Sequence, residues 1–245
     1  MRRGMFLCIA LFLLLGREAT AAVCSAPEGA GSALAARDAH QRMTFIRDHL
    51  RQQGRSSRIW TRSWLGINTA FAVGAFGLAP FTADRGDRTD LIAVGAMSTA
   101  SLATLLLLPL EVDDDEKALE AKLAAAPSPA EPCAQLAEAE RLFAHAAHSE
   151  ALGAGPLSHL LNIAVNAAAG AVLWLGYDRL ESGAVNAGLG LIFGELTILT
   201  QPTRLIGAQE RYLRGELGGA VSSLRPAVMP WARAGSAGVA AFWEF

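Results

Sequence analysis

A chain of 245 residues with 52% hydrophobic and 18% charged side chains is more apolar than an ordinary soluble domain. Its formal net charge of −2 at pH 7 leaves no basic excess, and the arginines are scattered without aromatic platforms, so nucleic acid is not an expected partner.

The chain opens with Arg2 and Arg3, an apolar block over 5–15, and then Ala19-Thr20-Ala21-Ala22. A positive start, a short apolar core and small residues spell a secretory signal peptide over 1–21, cleaved after Ala21 or Ala22. Val23 stands where a lipoprotein site needs a small residue before Cys24, so lipidation is not expected. Cys8 leaves with the signal, and Cys24 and Cys133 are expected to pair as a disulfide in an oxidising compartment. That bond closes a loop of about 110 residues and contributes roughly 4 kcal/mol on the chain-entropy account.

Residues 33–53 read as a helix, with Leu34, Met43, Phe45, Ile46 and Leu50 apolar and Arg37, Arg42, Arg47 and Arg51 between them. Gly54-Arg55-Ser56-Ser57 is expected to interrupt it. Four apolar runs follow along the chain: 64–83, 91–110 and 160–177 carry no charged side chain, and 183–202 carries only Glu195. Each is long enough to cross a hydrocarbon core of about 30 Å at about 1.5 Å per helical residue. The first two are joined by a turn-rich loop over 82–88, the last two by a loop over 177–182. Between the pairs, Glu111, Asp113, Asp114, Asp115 and Glu116 sit at the start of a helix over 114–126, where negative charge opposes the positive end of the helix dipole. Their spacing lacks the alternation and central glycine of a calcium loop.

A proline-rich linker over 127–132 precedes a helix over 133–152, and Gly153-Ala154-Gly155-Pro156 leads into the third run. Residues 203–217 form an amphipathic helix suited to a membrane surface, and 221–231 with 239–245 has the pattern of a β-hairpin. Trp243 and the final Phe245 resemble the terminal strand of bacterial outer-membrane barrel proteins. No other barrel strand accompanies them, and runs this apolar are retained in the inner membrane.

The two halves repeat. Laying Gly95 on Gly188 also lays Thr104 on Thr197 and Pro109 on Pro202, and a second offset lays Asn68 on Asn166. The expected fold is therefore all-α: an integral membrane four-helix bundle of two tandem units, each a polar helix plus a transmembrane hairpin. Its segments are the signal peptide (1–21), an extracytoplasmic helix (22–62), a first hairpin (63–110), an extracytoplasmic acidic linker and helix (111–157), a second hairpin (158–202), and an amphipathic helix with tail (203–245). A cleaved signal places both mature termini outside the cytoplasm. The arginines conflict with that orientation, because Arg47, Arg51, Arg55, Arg58 and Arg62 precede the first span and Arg204, Arg211 and Arg214 follow the fourth.

An intramembrane carboxyl is a functional-site hypothesis by default, which singles out Glu195. Folding the second hairpin at its loop sets Glu195 level with Asn166 and Asn162 near Leu199; repeat equivalence adds Asn68, Thr104 and Thr197. These six residues form an expected intramembrane polar layer in which a neutral Glu195 donates to an asparagine oxygen. Small residues at Gly66, Ala70 and Gly74, and at Asn186, Gly190 and Gly194, mark helix-packing faces. His145 and His148 share a helix face with Arg141, and His40, His49 and His159 fall in the polar parts; no third ligand makes a zinc site. No phosphate loop, nucleophile elbow or triad spacing occurs, so neither catalytic residues nor a cofactor are expected. The chain reads as an exported structural or interaction component of the bacterial inner membrane, in contact with lipid and with an envelope partner or a second copy. A small transporter or channel component using Glu195 is the alternative, and a membrane enzyme the third reading.

Overall fold

The structure, a computed structural model, describes residues 24–125 and 132–218, together with the backbone of 226–233 and 236–243. The signal peptide, Cys8, most of the proline-rich linker and Phe245 lie outside the described residues.

The helices are α1 (Ser32–Ala35), α2 (Ala39–Leu78), α3 (Arg85–Leu107), α4 (Val112–Ala125), α5 (Pro132–Gly153), α6 (Pro156–Ala171), α7 (Leu180–Leu199) and α8 (Arg204–Leu213). A 3₁₀ turn, Ala79–Phe81, ends α2, and a π-helical turn, Val172–Gly176, extends α6. An antiparallel ribbon closes the chain, with β1 (Pro226–Arg233) paired to β2 (Ser236–Trp243) so that Pro226 faces Trp243 and Arg233 faces Ser236.

Helix α2 is longer than its sequence pattern predicts. Asp38 caps its start by accepting from the His40 backbone N–H at 3.2 Å, and the helix then runs unbroken for 40 residues, or about 60 Å. The expected break at 54–57 is absent. Gly54 is buried there because α4 crosses at that point, and a Cβ would meet the Glu116 carboxylate. One turn on, Arg58 binds Asp113 and, at 3.1 Å, Glu116. Glycine is placed for helix contact, and that packing outweighs its propensity penalty of about 1 kcal/mol.

The polar first half of α2 packs with α4, α5 and α8 into a bundle of its own. Its core holds Leu34, Phe45, Ile46, Leu50, Leu119, Leu136, Phe143, Leu205 and Tyr212. Phe45 and Phe143 meet edge-on at 6.2 Å, as do Phe143 and Tyr212 at 5.8 Å. Cys24 is bonded to Cys133, with Cα atoms 5.3 Å apart, and fastens the amino-terminal segment to α5. Arg42 is fully buried and holds the same segment from the other side. Its Nη1 donates to the Cys24 carbonyl at 2.9 Å and its Nη2 to the Ser25 carbonyl at 3.0 Å, while Glu140 supplies the counter-charge and Tyr212 a further acceptor. A buried guanidinium is tolerated only with its donors engaged in this way.

The second half of α2, with α3, α6 and α7, is of the opposite character. The chain has four helices long and apolar enough to cross a membrane, and at most 22% of any apolar window is buried within the chain. These helices are therefore not the core of a soluble domain: Phe81, Leu107 and Leu175 are more than three-quarters exposed. Contacts between them run through small residues. Gly95 of α3 lies under the Phe76 ring of α2, and Gly170 of α6 abuts Gly183 of α7, where a Cβ on Gly183 would sit 2.6 Å from the Gly170 carbonyl oxygen. The hairpins join through Phe71 and Phe193, ring centroids 5.4 Å apart, and through Trp60 and Trp64, whose indole N–H groups both donate to Thr200 Oγ1 at 3.2 Å.

Two glycines test this packing. Gly183→Ala is expected to lower thermal stability in detergent by about 1 to 3 kcal/mol, because backbone must shift, whereas Gly77→Ala, with open space around it, stays close to wild type. Equal stabilities for the two variants would refute the close approach.

All the polar helices gather at one end of the membrane-length helices. At the other end, among the described residues 24–125 and 132–218, lie short turns around Thr82–Asp84 and Tyr177–Arg179. Asp84 caps α3 there, accepting from the Asp87 N–H at 2.9 Å.

Candidate functional site

Hairpin two carries a continuous polar seam. The turn between α6 and α7 is tight, with Asp178 in the left-handed region at φ 57°, and α7 starts at Leu180, earlier than the expected loop allows. This slides the register by about one turn from the expected one. Asn162, not Asn166, lies beside Glu195: its Nδ2 donates to Glu195 Oε1 at 2.9 Å and to the Leu191 carbonyl at 3.1 Å. Asn166 Nδ2 in turn donates to Asn162 Oδ1 at 2.7 Å and to the Asn162 carbonyl at 2.8 Å.

The second Glu195 oxygen is met by His159, whose Nδ1 lies 2.7 Å from Oε2. By sequence His159 falls in the polar parts; in the structure it stands one turn into α6. Both carboxylate oxygens thus have nitrogen partners, in place of a carboxyl donating to an asparagine oxygen. Two glycines of α7 make the room. A Cβ on Gly194 would overlap Asn162 Oδ1, and one on Gly190 would overlap Asn166 Oδ1. The spacing of Asn162 and Asn166 on α6 against Gly190 and Gly194 on α7 is the signal that could have identified this seam in advance.

The other members of the expected layer turn to their own helices. Asn68 Nδ2 donates to the Trp64 carbonyl at 2.9 Å, Thr104 Oγ1 to Ala100 at 3.0 Å and Thr197 Oγ1 to Phe193 at 2.9 Å. Each bond spans four residues, the usual way a hydroxyl or amide satisfies itself on an apolar helix.

At the opposite end of α7, Arg179 Nη2 binds Asp90 Oδ2 of α3 at 2.8 Å, and Ser182 Oγ donates to the same oxygen at 3.0 Å. Gly86 leaves space for the Arg179 guanidinium to cross. Asn186, one turn above Ser182, donates to the Ser182 carbonyl at 2.9 Å. Among the described residues, the buried side-chain oxygens without a hydrogen-bond partner are Gln53 Oε1, Asp90 Oδ1 and Asn166 Oδ1.

Two further sites lie in the polar bundle. Asp115 Oδ2 is 2.8 Å from His145 Nδ1, and burial pushes its pKa up against the opposing pull of that histidine. Glu150 is fully buried at the junction of α2, α5 and α8. Its Oε1 accepts from Gln53 Nε2 at 2.6 Å and its Oε2 from the Leu205 N–H at 2.9 Å, so it caps α8 from another helix. Burial raises its pKa to about 7, against an ordinary value of 4.5. A folded-state pKa above the unfolded one means that the native state holds the extra proton, so its contribution is full below pH 4.5 and is lost as pH rises to about 7. The loss amounts to about 3 kcal/mol. Glu150→Gln keeps the acceptor for Leu205 and offers a donor to the orphaned Gln53 oxygen. It is expected to flatten this pH dependence and raise stability above pH 7, measured by denaturant unfolding in detergent between pH 4.5 and 8. An unchanged slope would exclude Glu150 as its source.

Among the described residues no group of three or more His, Cys, Asp or Glu is arranged to hold a metal ion. The fold and seam define a helical chain with four membrane-length helices under a disulfide-tied polar bundle. No known protein family, curated protein or solved structure matches the chain.

Proposed function

We propose that this is an exported integral protein of the bacterial inner membrane whose disulfide-tied polar bundle, on the extracytoplasmic side, engages an envelope protein or a second copy of itself. The observation that carries the reading is the one-sided distribution of polar mass among the described residues 24–125 and 132–218: four packed helices at one end, two short turns at the other. A pair of bonded cysteines belongs in an oxidising compartment, which favours the outer side for that end.

Of the arginines that argue against this orientation, Arg47, Arg51, Arg58 and Arg214 are counter-charged, the last by Glu216 at 2.8 Å. Arg47 pairs with Glu120 at 2.8 Å, Arg51 with the same carboxylate at 3.2 Å, Arg58 with Asp113 and Glu116, and Arg42 with Glu140. Arg85, Arg88 and Arg179 remain for the cytoplasmic side. The element order supports the duplicated plan in a fuller form, each unit running polar helix, span, span, polar helix: α2 (both halves), α3 and α4, then α5 to α8.

Mild crosslinking in intact cells followed by purification is expected to recover a stoichiometric adduct through the polar bundle, and alkaline carbonate to leave the protein in the membrane pellet. A protein that stays monomeric and without adducts, or that carbonate releases, would overturn the proposal.

A further inference from the structure

The polar seam of hairpin two continues, in one-turn steps, along α7. From the bundle side it passes His159 and Glu195, then Asn162 over Gly194 and Asn166 over Gly190, then Asn186, and ends at Ser182 with Asp90 and Arg179. Residues 182, 186, 190 and 194 are four apart and share one face of the helix. Ser182 to Glu195 is thirteen residues, or about 20 Å of helix, most of a hydrocarbon core.

Interhelical glue accounts for the bonds already made. It does not account for Asn166 Oδ1, which belongs to a residue 94% buried and has no donor, nor for Asp90 Oδ1 at the far end. A buried acceptor left unpaired costs about 1 to 3 kcal/mol, so each of these oxygens selects a small donor, either water or a hydrated proton. They lie on either side of Asn186 along the seam. Beyond Glu195 and His159, runs 160–177 and 183–202 hold no charged or imidazole side chain, so this pair is where a side chain at the bundle end of the seam can take up and release a proton.

We propose that the α6–α7 seam is a proton path across the membrane, with His159 and Glu195 as its outer acceptor pair. A hydronium ion at the bundle side gives its proton to His159 Nε2, the nitrogen not engaged by Glu195, and becomes water. The ring passes its Nδ1 proton to Glu195 Oε2, leaving a neutral imidazole and a neutral carboxyl. The carboxyl group then rotates to carry the proton to the side that faces Asn162, releases it to a water that donates to the free Asn166 Oδ1, and becomes a carboxylate again. From there the proton moves as hydronium through water beside Asn186 to the Asp90 carboxylate, which takes it up and releases it to water at the other surface. Rotation of the His159 ring restores the starting tautomer.

The test uses the full-length mature protein in phosphatidylethanolamine–phosphatidylglycerol vesicles loaded with a pH-sensitive dye, with a potassium diffusion potential, negative inside, set by valinomycin. Wild type is expected to acidify the lumen about tenfold or more faster than protein-free vesicles, and Glu195→Gln and Asn166→Leu each to remove that excess while eluting and melting as folded protein. His159→Gln keeps a donor to Glu195 but removes the relay, and should also lose the flux if Glu195→Gln does not fold. Wild-type flux no greater than that of empty vesicles would overturn the proposal, as would undiminished flux in a folded Glu195 or His159 variant, or a current carried by sodium and not by protons. Partner capture plays no part in this assay, so its failure and that of the interaction role are separable.

Discussion

Replacing Cys24 and Cys133 together by serine is expected to lower the unfolding free energy by about 4 to 5 kcal/mol, the largest single effect in the molecule. The bond spans 109 positions of sequence, so the unfolded chain regains most of the freedom that a large closed loop denies it. The loss has a native-state side as well. Cys24 is 5% exposed and sits on the bundle core, while Cys133 begins α5. Releasing them frees the segment that Arg42 otherwise holds through the Cys24 and Ser25 carbonyls. The measurement is chemical denaturation in detergent of the double variant and of wild type with and without reductant. Reduced wild type should match the double variant. A difference below about 1 kcal/mol between oxidised and reduced protein would show that the loop is closed by packing alone.

The second large effect is Arg42→Ala, expected to destabilise the bundle by about 3 to 5 kcal/mol. The substitution leaves the Glu140 carboxylate, 9% exposed, without its charge partner, and leaves the Cys24 and Ser25 carbonyls without donors. Arg42→Met combined with Glu140→Leu removes both charges and should recover much of the loss, because paired burial is unfavourable chiefly when it is broken from one side. Since Arg42 and the disulfide hold the same segment, their effects should not add; a double-mutant cycle reads the coupling directly. An Arg42→Ala protein within about 1 kcal/mol of wild type would mean that water reaches the site and screens Glu140.

The elements legible beforehand are those encoded over a few turns of chain. Four uncharged or nearly uncharged runs of membrane length, their two hairpin pairings, the polar helices between them and the conspicuous Glu195 all follow from local composition, because helix formation and transfer to lipid are properties of a segment. The helix continues through Gly54 for a reason that local composition does not carry. A glycine beside two serines lowers helix propensity locally, yet its role here is to let α4 approach, which no local pattern reports.

What only the tertiary structure decided are the partners. Asn162, Asn166, Glu195 and His159 meet because a tight turn at Asp178 sets the register of α7 on α6, and one turn of slip would have joined a different set. Asn68, Thr104 and Thr197 are as polar as the seam residues and stand at repeat-equivalent or matching depths, yet helix rotation leaves them bonded to their own backbones. Arg42 is one of four arginines between the apolar positions of its helix in the sequence; that it is fully buried, and that Glu150 is buried against α8, is decided by the packing of the bundle. Segment chemistry by itself determined that the chain makes long apolar helices with a costly acid in one of them. Which groups face that acid depends on sub-turn rotations and translations between helices, set by packing contacts far apart in sequence.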